Sequence, residues 1–237
     1  KQITSNQAYD SDPLWTADGK SIVFSSFRED TKDIWIISAE GGKARRLTTF
    51  PGAETPLFVS KDGVVYFSAN IQPDVNYDKF PGEPQAYTVN IKDGKSSLYT
   101  SIPMMNISAN TNGIVLYEDY KGYEDPLRKH HTSSVTRDIW KYLPKKGQYQ
   151  KLSRFAGENR NPVFTSNGLD YYFLSEQSGN FNVWKSNINA PETATQITQL
   201  PTHPVRNLSI AADNTLLFSY NGDLYTLAPD AEKPAKV

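Results

Sequence analysis

Five times along its length this chain runs through the same succession: an apolar lead-in, a polar turn, an apolar strand, a strand centred on an aromatic ring, and a short exit of Leu/Ile-Thr type. A unit this small cannot bury its own apolar faces, so successive copies must stack, and the repeat constrains the fold more than any other feature. The turns hold Asp18-Gly19, Asp62-Gly63, Asn112-Gly113, Asn167-Gly168 and Asp213-Asn214. Asp-Gly and Asn-Gly supply the positive φ of a tight two-residue hairpin turn, and the runs that follow are β-branched or aromatic. The aromatic strand recurs as Asp33-Ile34-Trp35-Ile36, Ala86-Tyr87-Thr88-Val89, Asp138-Ile139-Trp140-Lys141, Asn182-Val183-Trp184-Lys185 and Asp223-Leu224-Tyr225-Thr226. Its central rings are expected in the core. The exits are Arg46-Leu47-Thr48, Ser97-Leu98-Tyr99, Lys151-Leu152-Ser153, Gln196-Ile197-Thr198 and Lys236-Val237, and one more, Gln2-Ile3-Thr4, stands alone at the start.

The central rings are spaced by roughly 40 to 50 residues, the length of one four-stranded propeller blade. Fifteen Pro, fourteen Gly and 12% aromatics agree with many short strands packed face to face through rings. The chain therefore reads as an all-β single domain over residues 1–237, a β-propeller of four-stranded antiparallel blades. The blades are placed at about 9–49, 50–100, 101–153, 154–200 and 201–237, after the exit strand of a first blade at 1–8. Six exits against five complete repeats predict six blades with the first largely missing from this chain; the alternative is a five-bladed ring with the Ile3 strand added to the final blade. No stretch reads as helix. Pro13, Pro56 and Pro162 are expected to open inner strands, where no ladder donor is needed.

A formal net charge of −1 leaves no electrostatic footprint for nucleic acid, and no apolar run approaches a membrane span. The absence of cysteine removes disulfides, thiol catalysis and thiolate metal sites. There is no Gly-x-Ser-x-Gly elbow, no His-Glu-x-x-His and no phosphate-cradling loop, so no catalytic residue and no cofactor is assigned. The histidines are His130, His131 and His203. Adjacent His130 and His131 in an extended segment point to opposite sides, which disfavours a shared metal. Asp74-Val75-Asn76-Tyr77-Asp78 imitates the start of a calcium loop, but Lys79 stands where glycine is needed and Gln85 where a bidentate Glu is needed.

Two insertions, 69–85 and 118–137, fall between the second and third strands of successive repeats, and long loops on a rigid scaffold are where binding residues concentrate. The larger one carries Tyr120, Tyr123, Arg128, Lys129, His130 and His131. These six form either a surface that grips a peptide or neighbouring domain or a self-paired loop that holds its own fold. Arg160 and Arg206 lead into innermost strands, where they either meet a peptide carboxylate or tie neighbouring blades together.

The unit running from Pro13-Leu14-Trp15-Thr16-Ala17-Asp18-Gly19 to Arg46-Leu47-Thr48 resembles the repeat of TolB and tricorn-type propellers. A more specific likeness is Lys121-Gly122-Tyr123-Glu124-Asp125-Pro126-Leu127-Arg128-Lys129-His130-His131-Thr132-Ser133-Ser134-Val135-Thr136-Arg137-Asp138-Ile139-Trp140, with Gly157-Glu158-Asn159-Arg160-Asn161-Pro162 and Thr202-His203-Pro204-Val205-Arg206. These resemble the N-terminal propeller of bacterial tricorn-like serine peptidases. The resemblance implies a non-catalytic first module that gates peptides or docks the peptidase and PDZ domains of its parent, in an extracytoplasmic (periplasmic) setting and in a homo-oligomer. A free-standing TolB-like interaction module is the alternative.

Overall fold

The computed structural model describes residues 1–71, 84–123, 125, 127 and 133–237. Each repeat folds into a four-stranded antiparallel sheet whose strands follow sequence order, and there are five such sheets among the described residues. The chain divides into two compact units, Lys1–Met104 and Met105–Val237.

The hairpin turns differ from the two-residue expectation. Ser60 N–H donates to Val64 O and Ala211 N–H to Thr215 O, closing three-residue loops, while Thr16 N–H donates to Ser21 O and Thr165 N–H to Asp170 O across four. Positive φ falls at the third loop position in each case, at Gly19, Gly63, Gly113, Gly168 and Asn214. The Asp or Asn before it serves as an acceptor instead: Asp18 Oδ1 takes Lys20 N–H at 3.0 Å and Asn167 Oδ1 takes Leu169 N–H at 2.8 Å. Such side-chain turns are why Asx suits that place. A two-residue turn with two left-handed residues does occur, at Asn221-Gly222 between paired Tyr220 and Asp223.

In the first unit, β1 (Asp10–Trp15), β2 (Ser21–Glu29), β3 (Thr31–Ser38) and β4 (Arg45–Arg46) form one sheet, and β5 (Glu54–Val59), β6 (Val64–Ala69), β7 (Gln85–Asn90) and β8 (Ser96–Thr100) the next. Alternation sends Val23, Ile34 and Ile36 against Val59, Val65, Phe67 and Val89. Phe67 and Tyr87 stack with ring centroids 5.6 Å apart. In the second unit the sheets are β9 (Met104–Ala109) with β10 (Val115–Asp119), β11 (Ile139–Leu143) and β12 (Gln148–Lys151); β13 (Asn159–Phe164) with β14 (Asp170–Ser175), β15 (Asn182–Asn187) and β16 (Ala190–Gln196); and β17 (Arg206–Ile210) with β18 (Leu216–Tyr220), β19 (Asp223–Leu227) and β20 (Ala235–Lys236). A single 3-10 turn, Pro144–Lys146, is the only helical element among the described residues. Strand β14 shows how one strand serves two cores: Tyr171 and Phe173 join Leu116, Ile139 and Leu152, while Tyr172 and Leu174 join Leu208, Leu216 and Phe218.

Three of the exits share one task. Leu47, Leu152 and Ile197 N–H each donate at 2.8 Å to the carbonyl of Ile34, Ile139 and Val183, and the next hydroxyl, of Thr48, Ser153 or Thr198, accepts the N–H of that same strand residue. The copy at Gln2-Ile3-Thr4 does something else. It forms no strand, and Ile3 packs against Phe24, Trp35 and Ile37 of the first sheet. The six-bladed reading is therefore corrected to five blades, because Ile3 finds its apolar partners on an existing blade. The aromatic third-strand residues also divide: Trp35 and Tyr87 are buried, whereas Trp140, Trp184 and Tyr225 are half-buried. The Trp140 indole keeps its polar edge on Asp119 Oδ2, at 3.0 Å.

The prolines do not open their strands. Pro13, Pro56 and Pro162 sit inside β1, β5 and β13, at register shifts between Ser11 and Leu14, Pro56 and Phe58, and Arg160 and Val163. A bulge interrupts the ladder, so the missing donor costs nothing there.

Candidate functional site

In the first, fourth and fifth sheets the bulge of the innermost strand is marked by an Asp or Asn in the left-handed region, Asp12, Asn161 and Asn207, with φ of 53°, 49° and 55°, and Asn106 in the first strand of the third sheet has the same conformation, with φ of 45°. Asn and Asp tolerate this conformation better than other side-chain-bearing residues. Three of them, Asn106, Asn161 and Asn207, line one cleft of about 260 Å³ in the second unit, together with Arg137, Arg160 and Arg206. Its floor is Leu174, Phe181 and Val205, all nearly inaccessible.

The cleft's charges are organised by two carboxylates with no exposed surface, Glu118 and Glu158. Glu118 receives Arg137 Nη1 at 2.9 Å, Asn106 Nδ2 at 2.5 Å and the backbone N–H of Asn161, so it joins the inner strands of the third and fourth sheets. Glu158 receives Arg160 Nε at 2.5 Å and Arg137 N–H at 3.1 Å. The Arg160 guanidinium also lies 5.5 Å from the Phe181 ring centroid. A buried ion pair of this kind holds only if the remaining lone pairs are also met, as they are for Glu118. Arg206 Nη2 donates to the Leu127 carbonyl at 2.9 Å. Leu127 and Arg206 also border a second cleft of about 210 Å³, where the His203 ring meets the Tyr220 ring edge-on at 5.9 Å.

The insertion between β10 and β11 is anchored at its base. Lys121 Nζ donates to Thr136 O at 2.6 Å and Asp138 Oδ2 at 2.8 Å, and Asp138 N–H donates to Asp119 Oδ1 at 2.8 Å. Burial opposes the charge on both partners, yet Asp138 and Asp119 hold the Lys121 ammonium above the ordinary lysine pKa. Lys121, Lys151 and Ser153 hold the Asp138 carboxyl below the usual carboxylate range. Tyr120 is half-buried at the start of the insertion and Tyr123 is exposed. Arg128, Lys129, His130 and His131 lie outside the described residues, as do Asp74 to Asp78 and Lys79. Among the described residues no three His, Cys, Asp or Glu side chains are grouped to hold a metal ion, and no helix is long and apolar enough to cross a membrane.

Of the residues singled out from sequence, the structure brings Arg160 and Arg206 together in one cleft. It adds Arg137, three Asn residues in the left-handed region and the buried pair Glu118 and Glu158. One sequence signal for the bulges exists: an Asx before Pro or an aliphatic residue recurs as Asp12-Pro13, Asn106-Ile107, Asn161-Pro162 and Asn207-Leu208.

The family model described as "Tricorn protease N-terminal beta propeller domain" matches residues 1–233. Among solved structures, the tricorn protease superposes with a TM-score of 0.80 at 21% identity over 99% of this chain and 23% of its own. A putative TolB from Agrobacterium tumefaciens gives 0.75 at 16% identity, over 99% of this chain and 82% of its own. At these identities the likeness is one of fold. "Uncharacterized peptidase YuxL" of Bacillus subtilis (strain 168) is 44% identical over 62 residues, 25% of this chain and 9% of that protein. The chain thus spans less than a quarter of the tricorn protease and less than a tenth of the YuxL protein. With five four-stranded blades and a family match over nearly its whole length, this chain belongs to the tricorn protease N-terminal β-propeller domain family.

Proposed function

We propose that this chain is a non-catalytic propeller module of a tricorn-like serine peptidase, which docks peptides or neighbouring domains of the parent protein at the cleft between its inner strands. The observation that carries the reading is the convergence of Arg137, Arg160 and Arg206 with three left-handed Asn residues over an apolar floor. Glu118 and Glu158 balance two of those arginines, so a ligand meets a surface of fixed hydrogen-bonding groups rather than a strong positive field. The anchored base of the 118–137 insertion stands beside it, with Leu127 on the cleft wall.

The test is direct titration of the chain with fluorescent extended peptides. Arg206→Glu should weaken binding at least tenfold and leave the thermal midpoint within a degree or two, since Arg206 is only partly buried and its bond to the Leu127 carbonyl lies at the exposed rim of the cleft. Unchanged binding, or a large loss of stability, would assign Arg206 to the framework instead. Incubation of the chain with unstructured casein should release no fragments above buffer; release abolished by changing one Ser of this chain would overturn the non-catalytic reading. A free-standing TolB-like module remains the second reading, favoured by the match that spans 82% of the putative TolB chain. The full reading frame separates the two.

A further inference from the structure

Matching places on the third and fourth sheets hold a carboxylate in one and an alkyl group in the other. Glu118 pairs across with Ile139 and Leu174 with Val183, and Ile139 and Val183 are residues to which exits bond, so Glu118 and Leu174 correspond. Two positions ahead of Ile139 and Val183 stand Arg137 and Phe181. On the innermost strands Arg160 pairs with Leu174 and Arg206 with Ser219, and Ser219 faces Leu224, to which the last exit bonds. Asn161 and Asn207, each next in the chain and each left-handed, therefore correspond as well.

Between the third and fourth sheets the donors converge on Glu118: Asn106 Nδ2 from its own sheet, Asn161 N–H from the next, and Arg137 Nη1. One blade further on, the matching groups around Leu174 are Asn161 Nδ2, Asn207 N–H and the Phe181 ring. A leucine ends at its δ carbons, so the carboxylate oxygens of Glu118 have no counterpart there. The cleft of about 260 Å³ opens at this place, lined by Asn161, Leu174, Phe181 and Asn207. Asn161 is half-buried on its wall, and its side-chain amide makes no hydrogen bond among the described residues. Asn207 is exposed, and it shares the left-handed φ and the register shift that aim the Asn161 N–H at Glu118, so its own N–H is aimed at the matching spot. Phe181 takes the place of the Arg137 charge, but the Arg160 guanidinium lies 5.5 Å from that ring, and Arg206 stands on the same wall. The buried carboxylates Glu118, Glu158 and Glu176 nearly offset the three guanidiniums, so the cleft suits one carboxylate and not a multiply charged ligand.

We propose that a ligand carboxylate takes, in this cleft, the place that Glu118 fills between the third and fourth sheets, with the Asn161 side-chain amide and the Asn207 backbone N–H as its hydrogen-bond donors. On the docking reading of the same cleft, on which this rests, the carboxylate is a peptide's.

Nitrogen-15 NMR on the whole chain follows the Asn161 side-chain amide, assigned with Asn161→Asp, while four peptides are titrated. These are acetyl-Ala-Ala-Ala with a free carboxylate, its C-terminal amide, acetyl-Ala-Glu-Ala amide, and the Gln counterpart of the last. The two pairs separate a chain terminus from an acidic side chain. In at least one pair the carboxylate should bind about tenfold more tightly than its neutral partner, as one charge-assisted hydrogen bond provides, and should shift the Asn161 resonance saturably. Asn161→Asp keeps a residue that tolerates the left-handed backbone but turns the donor into a second anion, and should cut that preference to about twofold or less. Leu174→Glu supplies the carboxylate from within the chain and should compete the ligand out; if that variant does not fold, Asn161→Asp decides. Equal affinity for charged and neutral peptides, or a preference that survives Asn161→Asp, overturns the carboxylate site and leaves peptide docking standing. Binding by none of the four peptides overturns both.

Discussion

Replacing Glu54 by Gln should make the protein more stable above neutral pH, and the amount can be worked out from the surroundings of that side chain. Glu54 has no exposed surface. Its Oε2 accepts from the Thr48 hydroxyl and from Ile34 N–H at 3.3 Å, and its Oε1 has no donor. Burial, with the Asp33 charge adding to it, pushes its pKa from 4.5 to about 7, against the opposing pull of the Thr48 and Ile34 bonds and of Arg46. The folded protein therefore holds a proton that the unfolded chain releases. The neutral carboxyl's contribution is complete below about pH 4.5, is lost as pH rises toward 7, and is gone above it. A raised pKa of this size corresponds to about 3 kcal/mol. Glutamine keeps the shape and the acceptor for Ile34 N–H and carries no charge at any pH. Urea midpoints of both proteins from pH 4.5 to 8.5 should coincide near the acid end and diverge to about 3 kcal/mol in favour of Glu54→Gln at the alkaline end. In thermal midpoint that is roughly 6–12 °C for a chain of this length. A difference that does not change with pH, or a variant less stable at pH 8.5, would refute the reasoning, because it would mean that the charge is solvated or paired in the folded state.

Other substitutions probe the remaining interactions. Phe67→Ala, at a ring with no exposure, should cost about 3–5 kcal/mol by denaturant midpoint. Glu118→Gln strands the Arg137 charge and should cost about 3–5 kcal/mol, far more than an exposed pair such as Lys1 with Glu40, whose loss should barely register. Thr198→Val leaves Val183 N–H unmet and should cost about 1–3 kcal/mol. At Asn207, Ala should cost about 1 kcal/mol while Gly is close to neutral, since only the former resists the left-handed backbone.

The repeat, the antiparallel order and the faces of the strands were legible because each is a local property. The unbroken apolar run Tyr171-Tyr172-Phe173-Leu174 announces a strand buried on both sides, and Asn167-Gly168 announces a hairpin wherever it lies. Turn length was not legible: the dipeptide reports one left-handed residue but not how many residues the closing hydrogen bond spans. Arg160 and Arg206 were picked out by their place at the head of inner strands. Arg137 was not, because it comes from a connection between strands and reaches the cleft only through its bond to Glu118.

By itself the sequence determined an all-β chain of stacked four-stranded units, since side-chain periodicity and turn chemistry act over a few residues. Tertiary structure alone decided the rest. Gln2-Ile3-Thr4 has the letters of an exit strand, yet an exit needs a third strand to bond, and Ile3 instead met Phe24, Trp35 and Ile37. Glu54 reads as an ordinary surface carboxylate until Thr48, Asp33 and Arg46 enclose it. In each case the outcome depends on which distant groups share one small volume, and a linear pattern carries no record of that volume.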